Sequence, residues 1–234
     1  MLRSGKVKIV ECIEVTKTYD QGNLQVKALE NVTLSIGKGE FAALAGPSGS
    51  GKTTLLNMMG GLDRPDSGQI LVEGQECTTM SQSELARLRL NKIGFVFQSY
   101  NLIPVLTAAE NVEFVMLLQG VPASERRQRA KKILDEVGLE GLYDRRPAQL
   151  SGGQQQRVAV ARAIVANPAI VLADEPTANL DSKTAKGLLE IMLKMNREKQ
   201  VTFVFSTHDE MVMGYARRLI HIRDGKVYND VVQG

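Results

Sequence analysis

The sequence predicts an α/β fold in one domain: a sheet of buried parallel strands, an antiparallel β segment ahead of it, and a helical insertion. Three features predict this. The first third alternates apolar and polar residues in strand fashion. The middle, residues 98–166, carries a helical pattern. The last third sets short apolar runs between helices, the pattern of strands buried on both faces.

Taken in order, strand patterns occupy 8–15, 26–36, 40–45 and 69–73. Gly22-Asn23, Gly37-Lys38-Gly39 and Glu73-Gly74 punctuate them as turns. A further apolar run, 93–97, ends at Gln98. In the helical stretch Ser124 is the expected N-cap and Gly138 the expected stop of one segment. Ala130, Ile133, Leu134 and Val137 share one face of it. Runs 169–173 and 201–206 are strands, and 183–198 between them is a helix. Residues 219–222 followed by Asp224-Gly225 make a closing hairpin. No internal repeat or low-complexity segment interrupts the pattern.

Composition bounds the function classes. The 234 residues are 43% hydrophobic and 24% charged, with a formal net charge of +3. That is a globular balance, ample for one large core. The mild positive charge fits a polyphosphate ligand or an acidic membrane face and selects neither. Cys12 and Cys77 lie in no CxxC or His-containing cluster, so no zinc site is readable. Two reduced thiols are the expected state. The N-terminal stretch MLRSGKVKIVECIEV lacks the apolar core and cleavage site of a signal peptide. No run approaches the ~18 apolar residues that cross a bilayer. The expectation is a chain soluble when isolated, or held at a membrane by a partner.

Gly46-Pro47-Ser48-Gly49-Ser50-Gly51-Lys52-Thr53 matches the P-loop pattern in full. An apolar run, 41–45, leads in. A helix-compatible run, 54–59, leads out, and its first residue, Thr54, belongs with the nucleotide-binding stretch. Glycines there let backbone N–H groups converge on phosphate oxygens, and the following helix adds the positive end of its dipole. Lys52 can reach the β- and γ-phosphates, and the Thr53 hydroxyl can ligate Mg²⁺. This pattern by itself does not choose between a kinase, a GTPase and a transport ATPase.

Strand 169–173 runs into Asp174-Glu175. A carboxylate at Asp174 can hold Mg²⁺, and Glu175 can polarise the water that attacks the γ-phosphate. His208 follows strand 201–206 and so lies at the carboxyl edge of the sheet, where ligands bind in open α/β sheets. It is expected to contact the γ-phosphate. His221, inside the terminal strand, is expected to be structural. Gln98, also at a strand end, can ligate Mg²⁺ and touch the attacking water.

Leu150-Ser151-Gly152-Gly153-Gln154 heads a helix and forms a second anion-binding nest. A second phosphate cradle makes sense if it closes over ATP held by another copy. With Tyr19, the P-loop, Gln98, Asp174-Glu175, Ala178-Asn179-Leu180-Asp181 and His208 in the same order, the sequence resembles the ABC ATPases over nearly its whole length. The resemblance implies a P-loop NTPase core of RecA-like type with an N-terminal antiparallel β subdomain and an inserted α-helical subdomain. The core would be 1–98 plus 165–234, and the insertion 99–164. It also implies roles. Tyr19 would stack on adenine. Ser151, Gly152, Gly153 and Gln154 would close on ATP of the opposite subunit, and Asp181 would bridge the two subunits. ATP and Mg²⁺ are the implied ligands. The implied partners are a second copy and an integral membrane permease, contacted by Gln98 and the stretch after it. The implied place is the cytoplasmic face of the inner membrane, peripherally held, with no nucleic acid expected. Gly60–Pro65, 93–98 and 101–104 narrow the likeness to the branch of lipoprotein-releasing, macrolide-exporter and cell-division ATPases. Ala178 stands where that branch often carries glycine. The alternative is a soluble ATPase of the same family acting on nucleic acid or as a nucleotide-dependent regulator.

Overall fold

The alternating first third folds as an antiparallel sheet. In the computed structural model, which describes residues 7–22 and 24–233, strands β1 (Lys8–Gln21) and β2 (Leu24–Gly37) pair antiparallel. Residues 1–6 of the N-terminal stretch and Asn23 of the first turn lie outside the described residues. β1 continues past the expected end at Val15. Its register shifts between Cys12 and Val15, and Glu14 takes φ 52°. A bulge of this kind breaks strict alternation and hides the second half of a strand from a period-2 reading.

β3 (Phe41–Ala45) leads into α1 (Lys52–Met59). β4 (Ser67–Val72) and the short β5 (Gln75–Glu76) complete the first sheet, ordered β2-β1-β4-β5. Helix α2 (Gln82–Lys92) was not expected, because it buries only Leu85 and Leu88. Its signal is the capping box Ser81/Glu84, in which each side chain binds the other residue's backbone N–H.

β6 (Ile93–Val96) follows. The expected helical middle consists of three helices: α3 (Ala108–Leu118), α4 (Ala123–Glu136) and α5 (Gly152–Ile164). Gly120 and Gly138, at φ 78° and 76°, follow α3 and α4, in the conformation that terminates a helix without strain at glycine. Ser124 is not the N-cap of α4. Pro122 takes that place, and its carbonyl accepts the first helical bond from the Arg126 N–H at 2.9 Å, which puts Ser124 inside the first turn.

β7 (Ile170–Asp174), α6 (Ser182–Lys199), β8 (Phe203–Thr207), α7 (Glu210–Tyr215), β9 (Arg218–Arg223) and β10 (Lys226–Val232) complete the chain. The second sheet runs β10-β9-β3-β8-β7-β6. All its pairings are parallel except the terminal hairpin, whose turn residues Asp224 and Gly225 take φ 48° and 74°.

Alternation in these central strands separates two cores. Phe41, Ala43, Val171, Ala173, Phe203 and Phe205 face α3, α5 and α6, packing with Val112, Val158, Leu188 and Met192. Ala42, Leu44, Ile170, Leu172 and Val204 face α1 and the antiparallel sheet, packing with Leu55, Met58, Val10 and Ile70. The Phe41, Phe203 and Phe205 rings meet with centroids 4.7–5.9 Å apart. Burying each such side chain contributes about 1.5–3 kcal/mol.

Both cysteines are free and buried in the second core. Burial, reinforced by Cys77, pushes the Cys12 thiol up to about 12. Between pH 9 and that value the thiol ionises in the unfolded chain and stays protonated in the folded one. The unfolded state then binds fewer protons, so stability falls as pH rises through this window. Urea unfolding at pH 8 and pH 10.5 should show a loss of about 2 kcal/mol from this thiol. Cys12→Ala should flatten that slope; an equal slope in the variant would defeat the buried-thiol account.

Candidate functional site

Three parallel strands end at one edge, and the loops there carry the predicted residues. β3 delivers the loop 46–51. Gly49 and Gly51 take φ 77° and 103°. A Cβ on Gly51 would lie 2.4 Å from the Ala28 carbonyl oxygen, and one on Gly46 would lie 2.1 Å from that of Ile222. Gly225 of the terminal hairpin donates to the Ser50 carbonyl at 3.1 Å and accepts from the Glu30 N–H at 2.9 Å. The loop is therefore wedged between the end of the hairpin and β2, while its tip, Pro47 to Gly49, stays exposed. The sequence marked Gly225 only as a hairpin-turn residue, not as a partner of this loop.

Helix α1 starts at Lys52 with Gly51 as a left-handed N-cap and no capping side chain. Its first N–H groups therefore meet no side-chain acceptor, which is the arrangement that receives an anion. Lys52 Nζ is held at the mouth by the Gly46 and Pro47 carbonyls, each at 2.8 Å. Burial lowers its pKa, and the carboxylates of Glu175 and Asp174 oppose that shift. Two neutral carbonyls are weaker partners for an ammonium than phosphate oxygens. The Ser50 hydroxyl is buried in the loop without a protein partner.

The Thr53 hydroxyl donates to Asp174 Oδ1 at 3.0 Å. Asp174 ends β7, paired with Ser206 of β8. A hydroxyl and a carboxylate are hard oxygen donors. Among the described residues no cluster of three or more His, Cys, Asp or Glu side chains preassembles a metal cage. The Thr53 and Asp174 oxygens fit Mg²⁺, which takes one or two protein oxygens and completes its shell with water and phosphate.

Glu175 stands one residue beyond, with φ 45°. Its N–H donates to the Ser206 carbonyl at 3.0 Å, and its Oε1 lies 2.7 Å from His208 Nδ1. The Glu175 side chain is 17% exposed and that of His208 is 62% exposed, so the pair opens to solvent on the imidazole side. Lys52, Thr53, Asp174, Glu175 and His208 thus converge, linked by contacts across β3, β7 and β8.

The remaining residues are placed differently. The Gln98 amide donates to Asn179 Oδ1 at 3.4 Å, and Asn179 Nδ2 donates back to the Gln98 carbonyl at 3.0 Å. Among the described residues no hydrogen bond joins Gln98 to Thr53 or Asp174. Ser151 caps α5 in a capping box with Gln154. A Cβ on Gly152 would meet Tyr100 Oη at 2.8 Å, and one on Gly153 would meet Thr184 Cγ2 at 2.2 Å. Asp181 caps α6, accepting from the Thr184 N–H at 3.0 Å and hydroxyl at 2.6 Å. Those bonds, hydroxyl first, hold its carboxyl below the usual range. The heads of α5 and α6 are therefore adjacent, and among the described residues no hydrogen bond joins 151–154 to the loop 46–54. The Tyr19 hydroxyl donates to Asp63 Oδ2 at 2.5 Å, and Lys17 Nζ lies 5.2 Å from its ring centroid. Burial and the Asp63 bond push the Tyr19 hydroxyl up to about 12. His221 lies in β9, paired in register with Ala45, and its ring packs against Tyr228. Sequence reasoning missed Lys17 and Asp63, whose only signal is acid–base complementarity with a partner 46 positions away.

Comparison with known proteins decides the family. The model described as "ABC transporter" matches residues 29–178. The chain belongs to the ABC transporter family. A Thermotoga maritima protein called an uncharacterized ABC transporter ATP-binding protein is 50% identical over 220 residues, 94% of each chain. The Brucella melitensis macrolide export ATP-binding/permease protein MacB is 46% identical over 225 residues. These are 96% of this chain and 35% of that protein. A solved dimer of the ATP-binding cassette MJ0796 with ADP and Pi superposes with a TM-score of 0.89 at 44% identity, covering 97% of this chain and all of that one. The present chain is thus an ATPase cassette whose ligands are ATP and Mg²⁺, and it has the expected α/β fold with an antiparallel β subdomain and a helical insertion. Among the described residues no helix is long and apolar enough to cross a membrane.

The wedge at Gly51 predicts a sharp mutational effect. Gly51→Ala places a Cβ against backbone at positive φ. It should destabilise the protein by about 1–3 kcal/mol and weaken ATP binding at least ~10-fold, equal to ~1.4 kcal/mol. Urea unfolding and titration with a fluorescent ATP analogue check both.

Proposed function

We propose that this chain is the ATP-hydrolysing subunit of a membrane transport system of the lipoprotein-release or macrolide/peptide-export type. It acts by closing head to tail with a second copy, each ATP lying between one P-loop and the other copy's Ser151–Gln154 segment. The observation that carries the hydrolytic reading is the chain of contacts from Thr53 to Asp174 and from Glu175 to His208.

Lys52 exchanges its two loop carbonyls for β- and γ-phosphate oxygens, with the 46–54 amides around it. Thr53 and Asp174 would hold Mg²⁺, which when bound would neutralise phosphate charge. Glu175 takes a proton from the attacking water as the water oxygen bonds to the γ-phosphorus and the bond to the ADP oxygen breaks. His208 orients that carboxylate and stabilises the phosphoryl charge. The Gln98 amide, bonded here to Asn179, would be available to the metal and the attacking water once released from that partner. Ser151 and Gly153 receive the γ-phosphate of the other copy, Tyr19 lies against the base, and Asp181 contacts the second subunit.

An integral permease fits the helical segment 99–164 as partner. Val105 is 70% exposed, and Phe114, Leu117 and Leu118 of α3 are also exposed, an apolar group beside the stretch after Gln98. Such docking would hold the chain at the cytoplasmic face of the membrane. A nucleic-acid partner is disfavoured by the state of the basic cluster on α4. Arg127 pairs with Glu113 and Asp144, Arg129 with Glu125, and Lys131 lies over the Tyr143 ring. The MacB relative carries a permease name and is longer than this chain, which supports export as the type of work.

Two measurements test this reading. Glu175→Gln should keep ATP binding and accumulate an ATP-bound dimer while hydrolysis falls by ~10²–10⁴; phosphate release at the normal rate would remove Glu175 from its role. The tagged chain, purified from gently solubilised membranes, should bring a permease with a large extracytoplasmic domain in stoichiometric amount. A many-helix permease would move it to another transport class, and a soluble or nucleic-acid partner alone would overturn the transport reading.

A further inference from the structure

Glu175 sits in a conformation that does not hold itself. It is non-glycine at φ 45° and precedes Pro176, where the backbone is further restricted. Such a residue keeps its geometry only if its surroundings over-determine it. Two restraints are local to the sheet edge: its N–H binds the Ser206 carbonyl at 3.0 Å, and its carbonyl accepts from the Ala178 N–H at 3.2 Å.

The third restraint comes from another element. Gln156, fully buried in α5, donates from Nε2 to the Pro176 carbonyl at 2.7 Å and to the Phe97 carbonyl at 3.2 Å. Pro176 follows Glu175, and Phe97 precedes Gln98. A single NH₂ group thus holds the backbone just past the ends of two neighbouring parallel strands, β6 and β7, beside both residues assigned to the water. Its Oε1 is buried with no protein partner. Two bonds of modest net strength set against one orphan acceptor make little case for Gln156 as a stabilising residue. Their geometry makes a strong case for it as a brace. Asparagine is a methylene shorter, and lysine or arginine would bury a charge between two neutral carbonyls.

We propose that Gln156 is a positioning residue for hydrolysis: it fixes Glu175 and Gln98 relative to each other from α5, the helix whose head is Ser151. The proposal rests on the reading of Glu175 as the water-activating group. Because Gln156 lies five residues into the helix that Ser151 caps, a displacement of that head on meeting phosphate reaches both loop ends through one rigid side chain.

The test is steady-state ATPase of Gln156→Met, similar in length and without donors, and of Gln156→Glu, with ATP binding and thermal unfolding measured on the same samples. Gln156→Met should lose at least ~10-fold in kcat while KM for ATP and ATP affinity stay within about threefold. Gln156→Glu should recover activity as pH falls relative to wild type. Its protonated carboxyl can donate to the Pro176 carbonyl, and its ionised form repels both carbonyls. A Gln156→Met kcat within twofold of wild type overturns the proposal. So does a loss that tracks lost ATP affinity or melting temperature in both variants, since that marks a packing role. If Gln156→Met fails to fold, Gln156→Glu decides: a pH profile parallel to wild type overturns the proposal. Glu175→Gln, run alongside, separates the two readings. If it hydrolyses normally, the Glu175 assignment and this proposal fall together. If it is inactive while Gln156→Met is normal, only this proposal falls.

Discussion

Parallel pairing of β3 with β8 and of β8 with β7 is the constraint on which the site depends. The register sets Ala45 opposite Thr207 and Asp174 opposite Ser206. Three chain segments, ending at Ala45, Asp174 and Thr207, therefore leave the sheet at one level. The P-loop, the carboxylate pair and His208 lie within side-chain reach because of that register. A strand slipped by one residue would turn each alternating set to the opposite core. The two cores, with phenylalanines toward the helices and smaller aliphatics toward α1, lock the register in place.

On this frame the site is assembled by close backbone approach and by charge. Gly46 and Gly51 allow the terminal hairpin and β2 to press on the loop from both sides. The last strands of the chain thereby shape a loop in its first quarter. Lys52 is buried at the mouth, held only by carbonyls and close enough to Asp174 and Glu175 for their charges to support its protonated form. The ammonium and the unpaired N–H groups at the head of α1 thus lie at the same edge of the sheet as the two carboxylates.

The helical segment has its own mode of attachment. Arg162 of α5 donates to the Tyr100 and Asn101 carbonyls at 2.9 and 2.6 Å, and both acceptor residues take left-handed backbone angles, φ 58° and 49°. With Gln156 at Phe97, α5 holds the loop after Gln98 at two points. The apolar exposure of α3 and Val105 lies on this same segment. Anything that presses on it acts on a loop tied, through Gln156, to the chain just past Glu175.

The sequence by itself determined the chemistry and the class of fold. Lys52-Thr53, Asp174-Glu175 and Ser151-Gly152-Gly153 are local strings, legible because a phosphate nest, a strand-end carboxylate and a helix head are each built from neighbours in the chain. Runs such as 41–45 were legible as buried strands because apolar side chains on both faces leave no other place for them. The tertiary structure decided what depends on partners far apart in sequence. These include the bulge that lets β1 run on to Gln21, the Tyr19–Asp63 bond, the clamp of Gly225 on Ser50, and the brace of Gln156 across Phe97 and Pro176. The side-chain and loop hydrogen bonds among them join groups 44 to 175 positions apart whose own neighbours carry no trace of the pairing, apart from the Gln156–Pro176 contact at 20. Only packing of the sheet brings them within hydrogen-bond distance.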